Sequence, residues 1–256
     1  MENCNAPILE FDPAKSAIIN PELVVPRHPE MPERVVLCFF AEAIEKLLSH
    51  YSHRVLGELK AESLRLPVYE LDYHGKKVGL IQASVGAPMA AFQIEELGAM
   101  GATKFLGCGS CGVLEKDVAV GHLIIPTAAV RDEGVSYHYC PPSREIAGDL
   151  PAIDAIARTF ERRKIPYIKA KTWTTDAFYR ETPDKVARRK AEGCVCVEME
   201  ASAYMAVAQF RGATFGQILY AGDNLGGEEW DSRGFYDRHD VRAQLLDVAL
   251  EACLEL

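Results

Sequence analysis

Lys104-Phe-Leu-Gly-Cys-Gly-Ser-Cys-Gly-Val-Leu-Glu-Lys-Asp-Val-Ala-Val-Gly-His-Leu-Ile-Ile-Pro126 is the stretch on which the reading of the fold turns. Lys104 to Cys108 reads as a buried strand. Gly107-Cys-Gly-Ser-Cys-Gly112 then matches the G-x-G-x-x-G spacing of a dinucleotide-binding turn, with Asp132 about twenty residues on, as that fingerprint requires. The match fails on context. Pyrophosphate binding needs a helix beginning at the third glycine, so that its N-terminus faces the anion. Val113 to Asp117 is too short for one, and Val120 to Pro126 reads as another strand. What survives is local: a sharp turn whose bare amides lie open to a ligand.

Working outward, strands and helices alternate. Toward the N-terminus, Val35 to Phe40 is an apolar strand. Ala41 to Tyr51 is a helix with Ile44, Leu47, Leu48 and Tyr51 on one face. Leu66 to Leu71 and Lys77 to Ser84 are strands joined through His74-Gly75, a hairpin signal. Pro88 to Met100 is a helix with proline in its first turn. Residues 1–33 contain six prolines and read as an extended arm crossing the surface. Toward the C-terminus, helices are expected at Ala152–Arg163, Pro183–Glu192, Ala201–Phe210 and Val241–Leu254. Strands are expected at Ile168–Thr172, Val195–Glu198 and Thr214–Gly222, with a polar loop over Asp223–Arg233. This alternation predicts an α/β fold, a central sheet flanked by helices, in one domain spanning residues 1–256.

The composition agrees. The chain has 48% hydrophobic and 25% charged residues, the balance of an ordinary globular protein. A formal net charge of −9 repels phosphate backbones, so nucleic acid is not an expected partner. No apolar run is long enough to cross a bilayer, so no membrane partner is expected. Met1 to Asn5 lacks a basic segment followed by an apolar one, and a cytoplasmic location is expected. The eight cysteines are then thiols. Cys108-x-x-Cys111 and Cys194-x-Cys196 do not form the paired spacings of a zinc site, and no metal is expected.

Glu198-Met199-Glu200 ends a strand just before an Ala-rich helix. Paired carboxylates there can accept hydrogen bonds from adjacent hydroxyls; equally, they can serve the positive end of the following helix. Asp223 follows the apolar run Ile218 to Gly222, and strand C-terminal ends are where open α/β sheets place ligands; a loop-capping role is the alternative. Phe178, in Asp176-Ala-Phe-Tyr179, offers a ring for stacking, or packs in the core.

These pieces occur together and in order, from about Val35 to Gly222. Gly86-Ala-Pro88 precedes a helix with Glu95-Glu-Leu97. Then come Gly109-Ser-Cys-Gly112, Val120-Gly-His122, Arg131-x-x-Gly134-x-Ser136-x-His138, Asp176-Ala-Phe-Tyr179 and Val197-Glu-Met-Glu-Ala201. In this the chain resembles the family of uridine phosphorylase, hexameric purine nucleoside phosphorylase and the methylthioadenosine nucleosidases. The resemblance implies a three-layer fold with a mixed twisted central sheet. It implies cleavage of a nucleoside's N-glycosidic bond with inorganic phosphate as co-substrate and no other cofactor. Glu200 would hold the ribose hydroxyls, Met199 would line the sugar and Glu198 would support both. Phe178 would stack on the base. Asp223 matches the acid that protonates a purine as the bond breaks, which favours purines and a place in purine salvage. A homodimer, or a hexamer built as a trimer of dimers, is implied, with a neighbour completing each site.

The chain also departs from the family. Where phosphorylases carry G-D-P-x-R, it has Phe39-Phe-Ala-Glu-Ala43. Gly107 stands in place of a second phosphate arginine. Ser110 can still donate a hydrogen bond, and Arg65 is the candidate for the arginine lent by a neighbour. Each lost charge-assisted hydrogen bond is worth about 1.5–3 kcal/mol. The nucleosidases' water-activating glutamate falls at Ala43, beside Glu42. A phosphate-independent hydrolase, in which Glu42 or another acid activates water, and a non-catalytic nucleoside-binding protein therefore stand as alternatives to the phosphorylase.

Overall fold

Alternation within the first strand explains the layering. In chain order the elements are α1 (Pro21–Val24), β1 (Arg34–Cys38), α2 (Ala41–Leu48), β2 (His53–Ala61), β3 (Leu64–Tyr73), β4 (Lys76–Gln82), α3 (Ala87–Met100), β5 (Lys104–Val113) and β6 (Leu123–Asp132). They continue with β7 (Glu145–Ala147), α4 (Leu150–Arg163), β8 (Tyr167–Thr175), α5 (Pro183–Ala191), β9 (Cys194–Glu198), α6 (Ala201–Arg211), β10 (Thr214–Asn224) and α7 (His239–Cys253). The computed structural model describes residues 6–256. Val35 and Leu37 of β1 point into a core made with α3 and α6, and Val36 and Cys38 into a core made with α2, α4 and α7. Both faces of the strand are buried, which is why it reads as a continuous apolar run. Each fully buried aliphatic side chain of this kind contributes roughly 1.5–3 kcal/mol.

The described strands form one ten-stranded mixed sheet. On one side, β1 lies parallel between β4 and β5, and β4, β3 and β2 continue as an antiparallel meander. On the other side the sheet closes on itself. β5 runs parallel to β10, β10 antiparallel to β6, β6 parallel to β8, β8 parallel to β9, and β9 returns antiparallel to β5. Cys111, Val113, Ile124, Ala170, Cys196, Leu219 and Ala221, drawn from all five strands, pack as one cluster. The closing contact is only two residue pairs long, Gly112 opposite Val197 and Val113 opposite Cys196. There the C-terminal ends of two parallel sets of strands meet.

Several sequence expectations change. Gly107 to Gly112 is not a turn but the middle and end of β5, and none of its glycines has a positive φ. They are small because neighbours press on the strand: a Cβ on Gly109 would lie 2.9 Å from the Phe39 ring, and one on Gly112 2.5 Å from Leu225 Cδ1. Val120 and Gly121 belong to a turn, so β6 begins only at Leu123 and runs on to Asp132. β2 and β7 carry little apolar signal for a sequence reading to find; most of β2 is exposed or half-buried. His74-Gly75 is the expected hairpin turn, with φ of 52° and 77°. Residues 1–5 of the expected arm lie outside the described residues. From residue 6 the segment holds a single 3₁₀ turn at Pro7–Leu9 and the short α1 before β1. It is tied down by His28 N–H to Met100 O at 2.9 Å and by Arg211 to Lys15 O at 2.9 Å.

Candidate active site

A cavity of about 1040 Å³ opens where the strand ends converge. β1 and the residues after it supply Phe39 and Phe40. The end of β4 supplies Gln82 to Val85, β5 Ser110 to Gly112, β9 and its exit Val197 to Glu200, and β10 Leu219 and Asp223. Phe178, Tyr179, Glu181, Trp230, Phe235, Tyr236 and Arg242 complete much of the wall. Of the residues expected from sequence, Ser110, Phe178, Glu198, Met199, Glu200 and Asp223 all line this one cavity. Arg65 does not. It lies on β3, exposed and 3.2 Å from Glu58, in a separate shallow pocket beside the β2–β3 turn.

The two buried glutamates have different surroundings. Glu198 accepts from the backbone N–H groups of Glu200 (2.7 Å) and Ala201 (2.5 Å). It also accepts from Thr174 Oγ1 at 2.6 Å and Thr172 Oγ1 at 3.4 Å. The helix-end reading of this residue is thus correct: Glu198 caps α6, satisfying N–H groups that have no partner within the helix. Glu200 accepts one bond, from Gly86 N–H at 2.6 Å. Gly86 has φ 100°, a conformation open to glycine. Gln93 of α3 fixes the loop before it, accepting from Ser84 N–H and donating to Gln82 O. Burial raises the proton affinity of both carboxyls; in Glu200 the neighbouring Glu198 charge adds to it, while in Glu198 the four donors oppose it. Both carboxyls are therefore easier to protonate than a free one, Glu200 the more so because it has fewer donors.

At the other end of the cavity, Trp230 Nε1 donates to Asp223 Oδ2 at 2.7 Å. Phe178 is 49% exposed and lies against Tyr179, with ring centroids 4.1 Å apart. It is a cavity wall, not a core residue. Phe178–Arg180 is a 3₁₀ turn, and Glu181 follows it as its C-cap, its N–H bonded to Phe178 O at 3.2 Å. Burial, and then the charge of Asp223, push its carboxyl up to about 7.

Among the described residues lining the cavity, Arg242 is the one cation, against the four carboxylates Glu181, Glu198, Glu200 and Asp223. Arg242 is already engaged: it donates to Glu42 at 2.8 Å, to Tyr220 Oη at 3.2 Å and to Phe235 O at 3.1 Å, and lies over the Phe40 ring. Glu42 also faces His239 and is held below the usual carboxylate range by these hydrogen bonds, against its own burial. It is not part of the cavity wall. Phe39 rests on Gly109 beside Ser110, and Phe40 is buried against Tyr220. The described residues hold no group of three or more His, Cys, Asp or Glu side chains arranged for a metal. Cys108 packs with Cys38 and Cys253, and Cys111 with Cys196, all as buried thiols.

Sequence reading missed Thr172, Thr174, Glu181, Trp230 and Arg242. The two threonines carried a signal, since alternate residues of one strand share a face. Trp230 and Arg242 lie 7 and 19 positions beyond Asp223, and only the path of the chain brings them back.

The matching family model, described as the Phosphorylase superfamily, spans residues 33–255. The chain belongs to that superfamily. It is 29% identical over 169 residues to a guanosine phosphorylase of Halorubrum lacusprofundi, covering 66% of this chain and 70% of the relative. It is 26% identical over 189 residues to a DeoD-type purine nucleoside phosphorylase of Colwellia psychrerythraea, covering 73% and 80%. Among solved structures, uridine phosphorylase of Vibrio fischeri superposes with a TM-score of 0.75 at 21% identity, over 94% of this chain and 98% of that one. Purine nucleoside phosphorylase of Toxoplasma gondii superposes with a TM-score of 0.76 at 21% identity, over 89% and 92%. At these identities the structural likeness establishes the fold: a mixed central sheet flanked by helices.

Proposed function

We propose that this protein is a nucleoside phosphorylase, a pentosyltransferase acting on purine nucleosides. The observation that carries the reading is the meeting, in one cavity, of the Glu198–Met199–Glu200 turn with Phe178 and Asp223. Glu200 takes the ribose hydroxyls, and Glu198, fixed by its four donors, holds the turn in place. Phe178 covers a face of the base. Asp223 gives a proton to the purine N7 while the bond from N9 to C1′ breaks, its electron pair passing to the base. Phosphate oxygen bonds to the oxocarbenium-like sugar carbon. Relatives named guanosine and purine nucleoside phosphorylases support the purine reading.

The acceptor side favours a weakly held phosphate. Ser110 is its hydrogen-bond donor, Phe39 fills space beside it, and the guanidinium of Arg242 is shared with Glu42. A neighbouring subunit lending Arg65 would add a cation, consistent with a dimer or a trimer of dimers. Glu42, one candidate base for the hydrolytic reading, is tied to Arg242 and lies outside the cavity wall. No helix among the described residues is long and apolar enough to cross a membrane, which is compatible with a cytoplasmic salvage enzyme. Base release from purine and pyrimidine nucleosides, with and without phosphate, tests the proposal. Release that requires phosphate and is fastest with purines is expected; release at equal rates without phosphate would make the protein a hydrolase.

A further inference from the structure

We infer that the N-terminal arm is a strap that holds the Phe178 ring in place, with Ile8 as its positioning residue. This rests on the reading of Phe178 as the wall on which a base stacks. Residues 6–32 lie ahead of the part of the chain that the superfamily model matches. They are fastened to the fold at two further places. At the first, Arg211, at the end of α6, donates to Lys15 O at 2.9 Å and pairs with both oxygens of Glu95 at 2.8 and 2.9 Å. Lys15 lies over the Phe210 ring, its Nζ 3.6 Å from the centroid, and donates to Phe210 O. At the second, the 3₁₀ turn Pro7–Leu9 lies against the 3₁₀ turn Ser136–His138.

The second fastening bears on the cavity wall. Gly134 N–H donates to Asp176 Oδ2 at 2.8 Å, tying the exit of β6 to that of β8. Asp176 stands two residues before Phe178, which opens the Phe178–Arg180 turn. A Cβ on Gly134 would lie 3.6 Å from Asp176 Oδ2 and 3.8 Å from Ile8 Cδ1. Ile8 therefore packs on the same bare stretch of backbone that the Asp176 carboxylate bonds to. The loop around Gly134 is firm on its other side, where Glu133 accepts from Val135 and Ser136 N–H and from Ser202 Oγ of α6. The Asp176 side chain accepts only from Gly134 among the described residues. A single hydrogen bond to an exposed carboxylate is weak because water competes for it, and an apolar side chain that keeps water out strengthens it. Ile8 supplies that cover. Phe178 depends on it, since its ring is half exposed and rests on Tyr179, itself exposed. The order of transmission is Ile8, then the Gly134–Asp176 bond, then the turn that presents the ring.

The test compares the full chain with Ile8→Asp, Ile8→Leu and Asp176→Ala, each first shown to melt cooperatively. Ile8→Asp sets a carboxylate beside Asp176. With the purine nucleoside that the chain cleaves fastest, it should raise the nucleoside KM by about fivefold or more, while kcat and the phosphate KM stay within about twofold. Ile8→Leu keeps the apolar cover and should match the unsubstituted chain. Chymotrypsin gives a second readout that needs no activity. Nicking after Phe178 or Tyr179, located by mass spectrometry, should quicken by about fivefold or more in Ile8→Asp, with nicking after Trp230 and Tyr236 unchanged. Asp176→Ala removes the bond itself and should give the same local nicking with the arm untouched. An unchanged nicking rate at Phe178 and Tyr179 in Ile8→Asp, or an equal rise at all four sites, would overturn the strap. Absence of turnover on any purine nucleoside by the unsubstituted chain would overturn the enzymatic reading of the cavity, and the nicking rates would then decide the strap by themselves.

Discussion

Thr174 shows how much of the site depends on one hydroxyl. Its Oγ1 accepts the Ser202 N–H at 3.0 Å, so its single proton is free to go to Glu198, 2.6 Å away. Thr174→Val removes both bonds at a buried position and leaves an N–H and a carboxylate oxygen short of partners. Destabilisation by about 1–3 kcal/mol is expected, read from the denaturant midpoint. Asp223 is a different case. Half-buried and held only through Trp230, it contributes little to folding. Asp223→Ala should slow purine release by about 10²–10⁴-fold, the usual contribution of a general acid, with little change in melting temperature. Full activity in that variant would remove Asp223 from the mechanism.

At the scale of elements, β5 carries the larger lesson. Its glycines look like a ligand-binding turn in sequence and are a strand in the fold, bare so that Phe39 and Leu225 can press against it. Gly109→Ala would place a methyl 2.9 Å from the Phe39 ring. The ring must then swing or the strand must shift. Overpacking of this kind costs about 1–3 kcal/mol, and because Phe39 borders Ser110, the KM for phosphate should change more than the KM for nucleoside. Steady-state kinetics with each substrate varied would show it; an unaltered phosphate KM would mean that Phe39 does not bound the acceptor site. The α5 and α6 boundaries, by contrast, were legible to within a residue. Pro183 sits in a first turn, and Gly212 ends α6 in the left-handed conformation.

For the molecule as a whole, the gathering of acids in one cavity makes stability depend on pH. Glu181, Glu198 and Glu200 all have proton affinities raised by burial. Each holds its proton in the folded chain at pH values where the unfolded chain has released it. Between the ordinary carboxylate value near 4.5 and about 7 the folded state binds more protons, so stability falls as pH rises through that window. The paired carboxylates Glu42, Glu70 and Glu192 are shifted down and act below it, where stability falls as pH drops. Melting temperatures of the unliganded protein should therefore decline from about pH 5 to about pH 7.5, and Glu200→Gln should flatten the decline. An identical slope in that variant would mean that Glu200 is ionised throughout.

The alternation of apolar runs with amphipathic helices was readable without coordinates, because burial on both faces of a parallel strand leaves a local mark that side-chain periodicity reports. Glu198, Met199, Glu200, Phe178 and Asp223 could be singled out as candidates from short local patterns, and the structure places them around one cavity. Tertiary structure alone decided what surrounds them. The two-pair junction of β5 with β9 brings Ser110 near the glutamates, the loop after β10 returns Trp230 to Asp223, and α7 carries Arg242 to Glu42 and Phe40. These are contacts between residues far apart in the chain or on separate elements, and no local pattern records them. Pairing, burial and the resulting proton affinities exist only once the sheet has closed.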